Sequence, residues 1–128
     1  MVTGQSTSEA EPEGAAAPAW FRRAVAHPGR SGHVRAAGAA IHYLMWGDER
    51  RDLPGLVFIH GFRANAGWWD FLAPHFSGRF RVAVMEFSGM GDSDTREQYS
   101  ADLWSREIVE LILKSQGLWD KVIEKYFG

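Results

Sequence analysis

Cysteine is absent from the 128 residues, which excludes disulfides, zinc–thiolate sites and a cysteine nucleophile. Neither sign of charge is in large excess. A formal net charge of −2 and a pI near 6.2 give no general attraction for nucleic acid or for an anionic lipid surface. No apolar run approaches the roughly 20 residues that a membrane-spanning helix needs. The amino terminus lacks the continuous apolar core of a signal peptide. A cytoplasmic protein with neither nucleic-acid nor membrane partners is therefore expected. The five histidines (His27, His33, His42, His60 and His75) show no His-x-x-x-His spacing and no carboxylate cluster beside them in sequence. No metal and no cofactor are expected on that ground. No internal repeat is visible.

What is present suits one globular domain. Hydrophobic residues make up 45% and charged residues 23%, and six Trp and eight Phe favour either a large core or an aromatic-lined pocket. Residues 1–18 hold almost no large apolar side chain, so they cannot bury enough surface to offset their ordering entropy and read as a disordered tail. Trp20 to Val25 form a short helical turn that Pro28-Gly29 breaks. His33–Arg35 and Ile41–Trp46 read as two strands joined by the turn Ala37-Gly38-Ala39. In the second, Ile41, Tyr43 and Met45 alternate with His42 and Leu44, the period of a half-buried strand.

Gly55 to Ile59 is a short, continuous apolar run, which predicts a strand buried on both faces within a parallel sheet. It stops at His60-Gly61 and a small polar loop. Trp68, Trp69, Leu72 and Phe76 then lie at helical spacing, with Pro74 placed to kink or restart the helix. Residues 80–86 predict another strand, followed by a turn at Gly89-Met90-Gly91-Asp92. Ser100 is a plausible N-cap for a helix whose stripe is Trp104, Ile108, Leu111 and Ile112, ending at Gly117. An amphipathic helix follows from Leu118 to Phe127. Strands alternating with helices imply an α/β sheet with covered faces.

His60-Gly61, the Trp pair that follows, Arg81-Val82 and Gly89-Met90-Gly91-Asp92-Ser93, each on the right kind of element, together resemble the amino-terminal third to half of the α/β-hydrolase superfamily. The likeness runs from about Ile41 to Leu113. It implies a partial α/β-hydrolase sheet of about four strands with flanking helices. Acyl transfer builds negative charge on a carbonyl oxygen, and preorganised N–H donors stabilise it. In this fold one donor lies in the loop after the third strand. The resemblance therefore implies the amide of Phe62 as an oxyanion donor, with Arg63 as a substitute. Gly61 would permit a sharp turn at positive φ, and His60 would support the loop by bonding backbone instead of transferring protons. Of Trp68 and Trp69 one is expected in the core. The other, taken as Trp68, would line a substrate pocket with Arg63. Glu86 stands where the family usually has Asp and is read as a structural carboxylate, and Ser93 as a turn hydroxyl.

No Gly-x-Ser-x-Gly occurs anywhere in the sequence. The triad order Ser, acid, His then implies that residues 19–128 form a truncated α/β-hydrolase domain without the nucleophile elbow and later elements. The expected function is that of an incomplete hydrolase, from a family acting on ester-like or small apolar acyl substrates, and inactive alone. A small-molecule substrate would be bound only once the missing elements are supplied. Arg63, at a position where epoxide hydrolases and dehalogenases often carry Pro, leans toward esterase-like relatives. The alternative is a non-catalytic interaction module. With no nucleophile strand beside it, Leu56–His60 becomes an apolar sheet edge open to self-association or to a partner that completes the sheet. A small nucleotide-binding domain is a third reading, weakened because Gly89-Met90-Gly91 has neither a third glycine opening a helix nor a following lysine.

Overall fold

Residues 17–47, 49–61, 65–115 and 125 are described by the computed structural model. Their elements are helix α1 (Ala19–Val25), strands β1 (Arg30–Ala36), β2 (Ala39–Trp46), β3 (Gly55–Ile59) and β4 (Arg81–Met85), and helix α2 (Ala101–Ser115). Two single-turn 3-10 segments, Ala66–Trp69 and Ala73–Phe76, lie between β3 and β4. The four strands form one mixed sheet in the order β1-β2-β4-β3.

The hairpin is tighter and longer than its sequence pattern suggests. Ala36 faces Ala39 across a two-residue turn, with φ of 50° at Ala37 and 83° at Gly38. Positive φ at both central residues twists the chain in the sense that the flanking strands require. β1 consequently starts at Arg30, three residues before the expected His33, and β2 at Ala39. β2 then runs antiparallel to β4, and β4 runs parallel to β3 in the register Gly55–Arg81 to Ile59–Met85. A parallel β3–β4 pair places both carboxyl ends on one edge of the sheet.

Side chains alternate between two faces. On one, Ile41, Met85 and Ala36 pack with Leu111 of α2; on the other, Val82, Val84 and Trp46 pack with Ala66 and Ala73 of the 3-10 segments. Covering both faces buries β4 from Val82 to Met85 and also buries His42 on β2. The half-buried alternation expected for β2 is thus replaced by a strand covered on both sides.

β3 departs from expectation in the other direction. It is the outer strand, pairs with β4 alone among the described residues, and is half-buried, with Ile59 38% exposed. Its apolar run fits its parallel pairing with β4; its place at the end of the strand order leaves one side without a paired strand among the described residues.

The helix expected over Trp68–Phe76 is two 3-10 turns. Asn65 caps the first, its side chain accepting from the Gly67 N–H, and Pro74 falls within the first residues of the second, where its missing N–H costs nothing. The proline restarts the helix instead of kinking it. Ser100 caps α2, its Oγ accepting from the Leu103 N–H at 3.1 Å. The expected tail (apart from Ala17 and Pro18) and the helix from Leu118 to Phe127 (apart from Lys125) lie outside the described residues. No helix among the described residues is long and apolar enough to cross a membrane.

Candidate functional site

The carboxyl edge shared by β3 and β4 gathers the polar residues. His60 follows directly after β3, and Glu86 and Phe87 follow β4. His60 is buried; its Nε2 accepts from the Phe87 N–H at 3.2 Å and its Nδ1 lies 2.7 Å from the Gly61 carbonyl. A backbone N–H can only donate, so Nε2 carries the lone pair and Nδ1 the proton, which it donates to Gly61. Both ring nitrogens are thereby used. The ring also meets Phe87 edge-on at 5.4 Å between centroids.

Glu86 holds the other end of the same loop. Its Oε2 accepts from the Ala66 N–H at 2.8 Å, and its Oε1 accepts from the Asp92 N–H at 2.8 Å and faces His42 Nδ1 at 2.7 Å. Burial works against the ionised form, but the N–H groups of Asp92 and Ala66 and the His42 ring outweigh it, so the carboxyl is held below its ordinary value. Glu86, one methylene longer than an Asp, reaches both loops. The approach is close: a Cβ at Gly91 would collide with the Glu86 carboxylate, and Gly91 sits at a φ of 54°. Only glycine meets both demands.

The chain from 60 to 66 is thus pinned at both ends to the residues that leave β4. Phe62 and Arg63, the candidate oxyanion donor and its substitute, fall within 62–64, outside the described residues. Gly61 is exposed and not in the left-handed region, and a Cβ there would meet nothing within 4 Å. The positive φ expected at Gly61 does not occur, and no crowding at its Cα calls for glycine there. Trp68 is 65% exposed, whereas Trp69 packs on Phe58 at 4.7 Å between ring centroids.

Ser93 is a turn hydroxyl: its Oγ donates to the Glu86 carbonyl and accepts from the His42 N–H at 2.8 Å. His42, Glu86 and Asp92 bring potential metal-ligand atoms within 4.8 Å of one another. The His42 Nδ1 and Glu86 Oε1 atoms of this group are hydrogen-bonded to each other.

Sequence reasoning found His60 and Glu86 because strand ends mark them. It missed His42, whose place in an alternating strand reads as an outward polar residue, and Ser31, whose Oγ lies 2.7 Å from His42 Nε2. The single legible signal was a histidine within an otherwise apolar strand.

Comparison with known proteins gives the class. No family model matches the chain. Epoxide hydrolase 3 of Xenopus tropicalis is 31% identical over 89 residues, 66% of this chain and 24% of that protein. The pimeloyl-[acyl-carrier protein] methyl ester esterase of Aeromonas hydrophila is 33% identical over 64 residues, 49% of this chain and 25% of the esterase. Among solved structures, the Cif epoxide hydrolase from Acinetobacter nosocomialis superposes with a TM-score of 0.61 at 26% identity, covering 69% of this chain and 27% of that one.

The chain is related to the α/β-hydrolase superfamily over the amino-terminal part of that fold, and its four-stranded sheet is a partial α/β-hydrolase sheet. It spans about a quarter of the length of these curated relatives. They include both epoxide hydrolases and an esterase, so the matched stretch is common to both chemistries.

Proposed function

We propose that these residues supply the oxyanion side of an α/β-hydrolase site for ester-like or small apolar acyl substrates. The amide of Phe62 is the donor, Arg63 its substitute, and Arg63 and Trp68 line the substrate pocket. His60 and Gly61 hold the loop. The observation that carries this reading is the double anchorage of the loop, by His60 to the Phe87 N–H and by Glu86 to the Ala66 N–H. Such anchorage lets an amide meet a developing charge without reorganising. His60 has no free lone pair with which to accept a proton, which fits support and not general-base catalysis.

The 128-residue chain holds no Gly-x-Ser-x-Gly, and on this reading it does not turn over esters by itself at this site. It is a cytoplasmic component that binds a small molecule only when a nucleophile elbow is supplied to it. Steady-state hydrolysis of p-nitrophenyl butyrate by the purified chain tests this: the sustained rate is expected to equal that of buffer. A sustained rate well above buffer, abolished by a serine-directed phosphonate, would contradict it.

A second reading, an interaction module completed by a partner strand or by a second copy, is favoured by one observation. β3 is the outer strand and has a pairing partner on one side only among the described residues. An unpaired edge offers a row of backbone groups to another strand. Size-exclusion chromatography with light scattering is expected, on this reading, to show a concentration-dependent dimer. A monomer at every concentration would exclude self-association.

A further inference from the structure

An arrangement suited to proton transfer starts at β1, the strand at the other end of the sheet order from β3, and shares Glu86 with the anchorage of the His60 loop. Ser31 is on the outer strand β1 and His42 on β2. The register pairs Ser31 with Leu44 and His33 with His42, so Ser31 reaches His42 diagonally across the ladder. His42 Nε2 is 2.7 Å from Ser31 Oγ, and His42 Nδ1 is 2.7 Å from Glu86 Oε1. Glu86 is 4% exposed and His42 7% exposed, while Ser31 is open to solvent.

The proton positions follow from the partners. Glu86 is held as a carboxylate by the Asp92 and Ala66 N–H groups, so it accepts from His42 Nδ1–H. In the neutral ring that leaves the Nε2 lone pair directed at the Ser31 hydroxyl. Nucleophile, base and orienting carboxylate are then within hydrogen-bond reach in sequence, which is the geometric signature of an activated serine.

We propose that Ser31 is a nucleophile that takes the acyl group of an activated acyl donor such as an aryl ester, with His42 as general base and Glu86 as its positioning residue. Ser31 Oγ forms a bond to the acyl carbon as its proton passes to His42 Nε2. The bond to the aryloxide oxygen breaks, the aryloxide leaves, and the His42 proton returns to it or to solvent. Ser31 sits on the exposed edge of β1, so water stabilises the tetrahedral oxyanion. That restricts the donor to acyl groups with good leaving groups. His42 is buried behind Ser31, and an acyl group on Ser31 stands between water and Nε2. The chemistry therefore stops at the acyl-serine, a single-event modification and not turnover.

The test is p-nitrophenyl acetate added to the purified chain, followed by time-resolved p-nitrophenolate release and peptide mapping. The expected result is a burst approaching one equivalent with no steady state, and an acetyl adduct on Ser31. Ser105, exposed on α2, is the internal reference. Ser31 should acetylate on the order of a hundredfold faster, the low end of what a positioned base contributes. Ser31→Ala, an exposed replacement, should remove the burst and leave the fold unchanged by circular dichroism. His42→Gln should slow adduct formation at Ser31 toward the Ser105 rate. A Ser31 rate equal to that of Ser105, or a burst that survives Ser31→Ala, would overturn the proposal. Sustained turnover would instead contradict the function proposed for the His60 loop, so the two failures are distinguishable.

Discussion

Glu86 joins three segments that are distant in sequence: β2 through His42, the loop after β3 through Ala66, and the turn after β4 through Asp92. Its carboxyl is held below its ordinary value of 4.5. The folded state therefore binds this proton less readily than the unfolded chain does. The sign follows: Glu86 contributes stability above the unfolded value, and that contribution is lost as pH falls through the lower, folded value. Glu110 acts in the same sense. Burial opposes its ionised form, but Arg106, Lys114 and the Ala37 N–H outweigh it. Glu86→Gln keeps the shape but loses the charge-assisted bonds, and is expected to lower unfolding stability by about 1–3 kcal/mol at neutral pH. Urea unfolding should show that difference shrinking below pH 4.5. A constant difference across that range would contradict this assignment.

At the scale of elements, the hairpin turn and α2 depend on each other. Ala37 sits at a φ of 50° with no special side chain to favour it, a conformation costing a non-glycine residue about 1 kcal/mol. Its N–H donates to Glu110, and Arg96 donates to the carbonyls of Ala36 and Ala37. Arg96 also pairs with Glu107, which is fully buried and accepts from the Ser88 N–H at 2.9 Å. Helix, turn and the segment after β4 are thus locked by charge-assisted bonds. Ala37→Asn matches the residue this turn type prefers before Gly38 and is expected to stabilise by roughly 0.5–1 kcal/mol. A thermal midpoint unchanged or lowered would contradict this account of the turn.

Here too lies the limit of what the sequence discloses. The α2 stripe and its Ser100 cap were legible because periodicity and capping are local. The burial of Glu107 and Glu110 was not, since acidic residues are ordinarily at the surface unless paired. Their partners, Arg96 and the hairpin, arrive only with the tertiary fold. The 3-10 turns were missed for a similar reason: the spacing of Trp68, Trp69, Leu72 and Phe76 fits a helix, while Asn65 and Pro74 divide it into two starts.

For the whole molecule, strand order decides what is exposed. Apolar continuity correctly marked β3 as a strand, which pairs in parallel with β4 within a mixed sheet, but it carries no information about which neighbours flank a strand. The order β1-β2-β4-β3 places β4 centrally and leaves β3 outermost. The same order aligns the ends of β3 and β4, so that His60 and Glu86 grip the loop between them from one edge. The proposed oxyanion role depends on this grip, since a donor must be fixed before the reaction begins.

Native-state amide hydrogen exchange tests it most directly, because exchange reports whether a given N–H is held. The account predicts slow exchange at Phe87, Ala66 and Asp92, whose N–H groups are bonded to His60 and Glu86, and, from the oxyanion role proposed for it, fast exchange at Phe62. Fast exchange at Ala66 and Phe87, or protection at Phe62 equal to theirs, would contradict it.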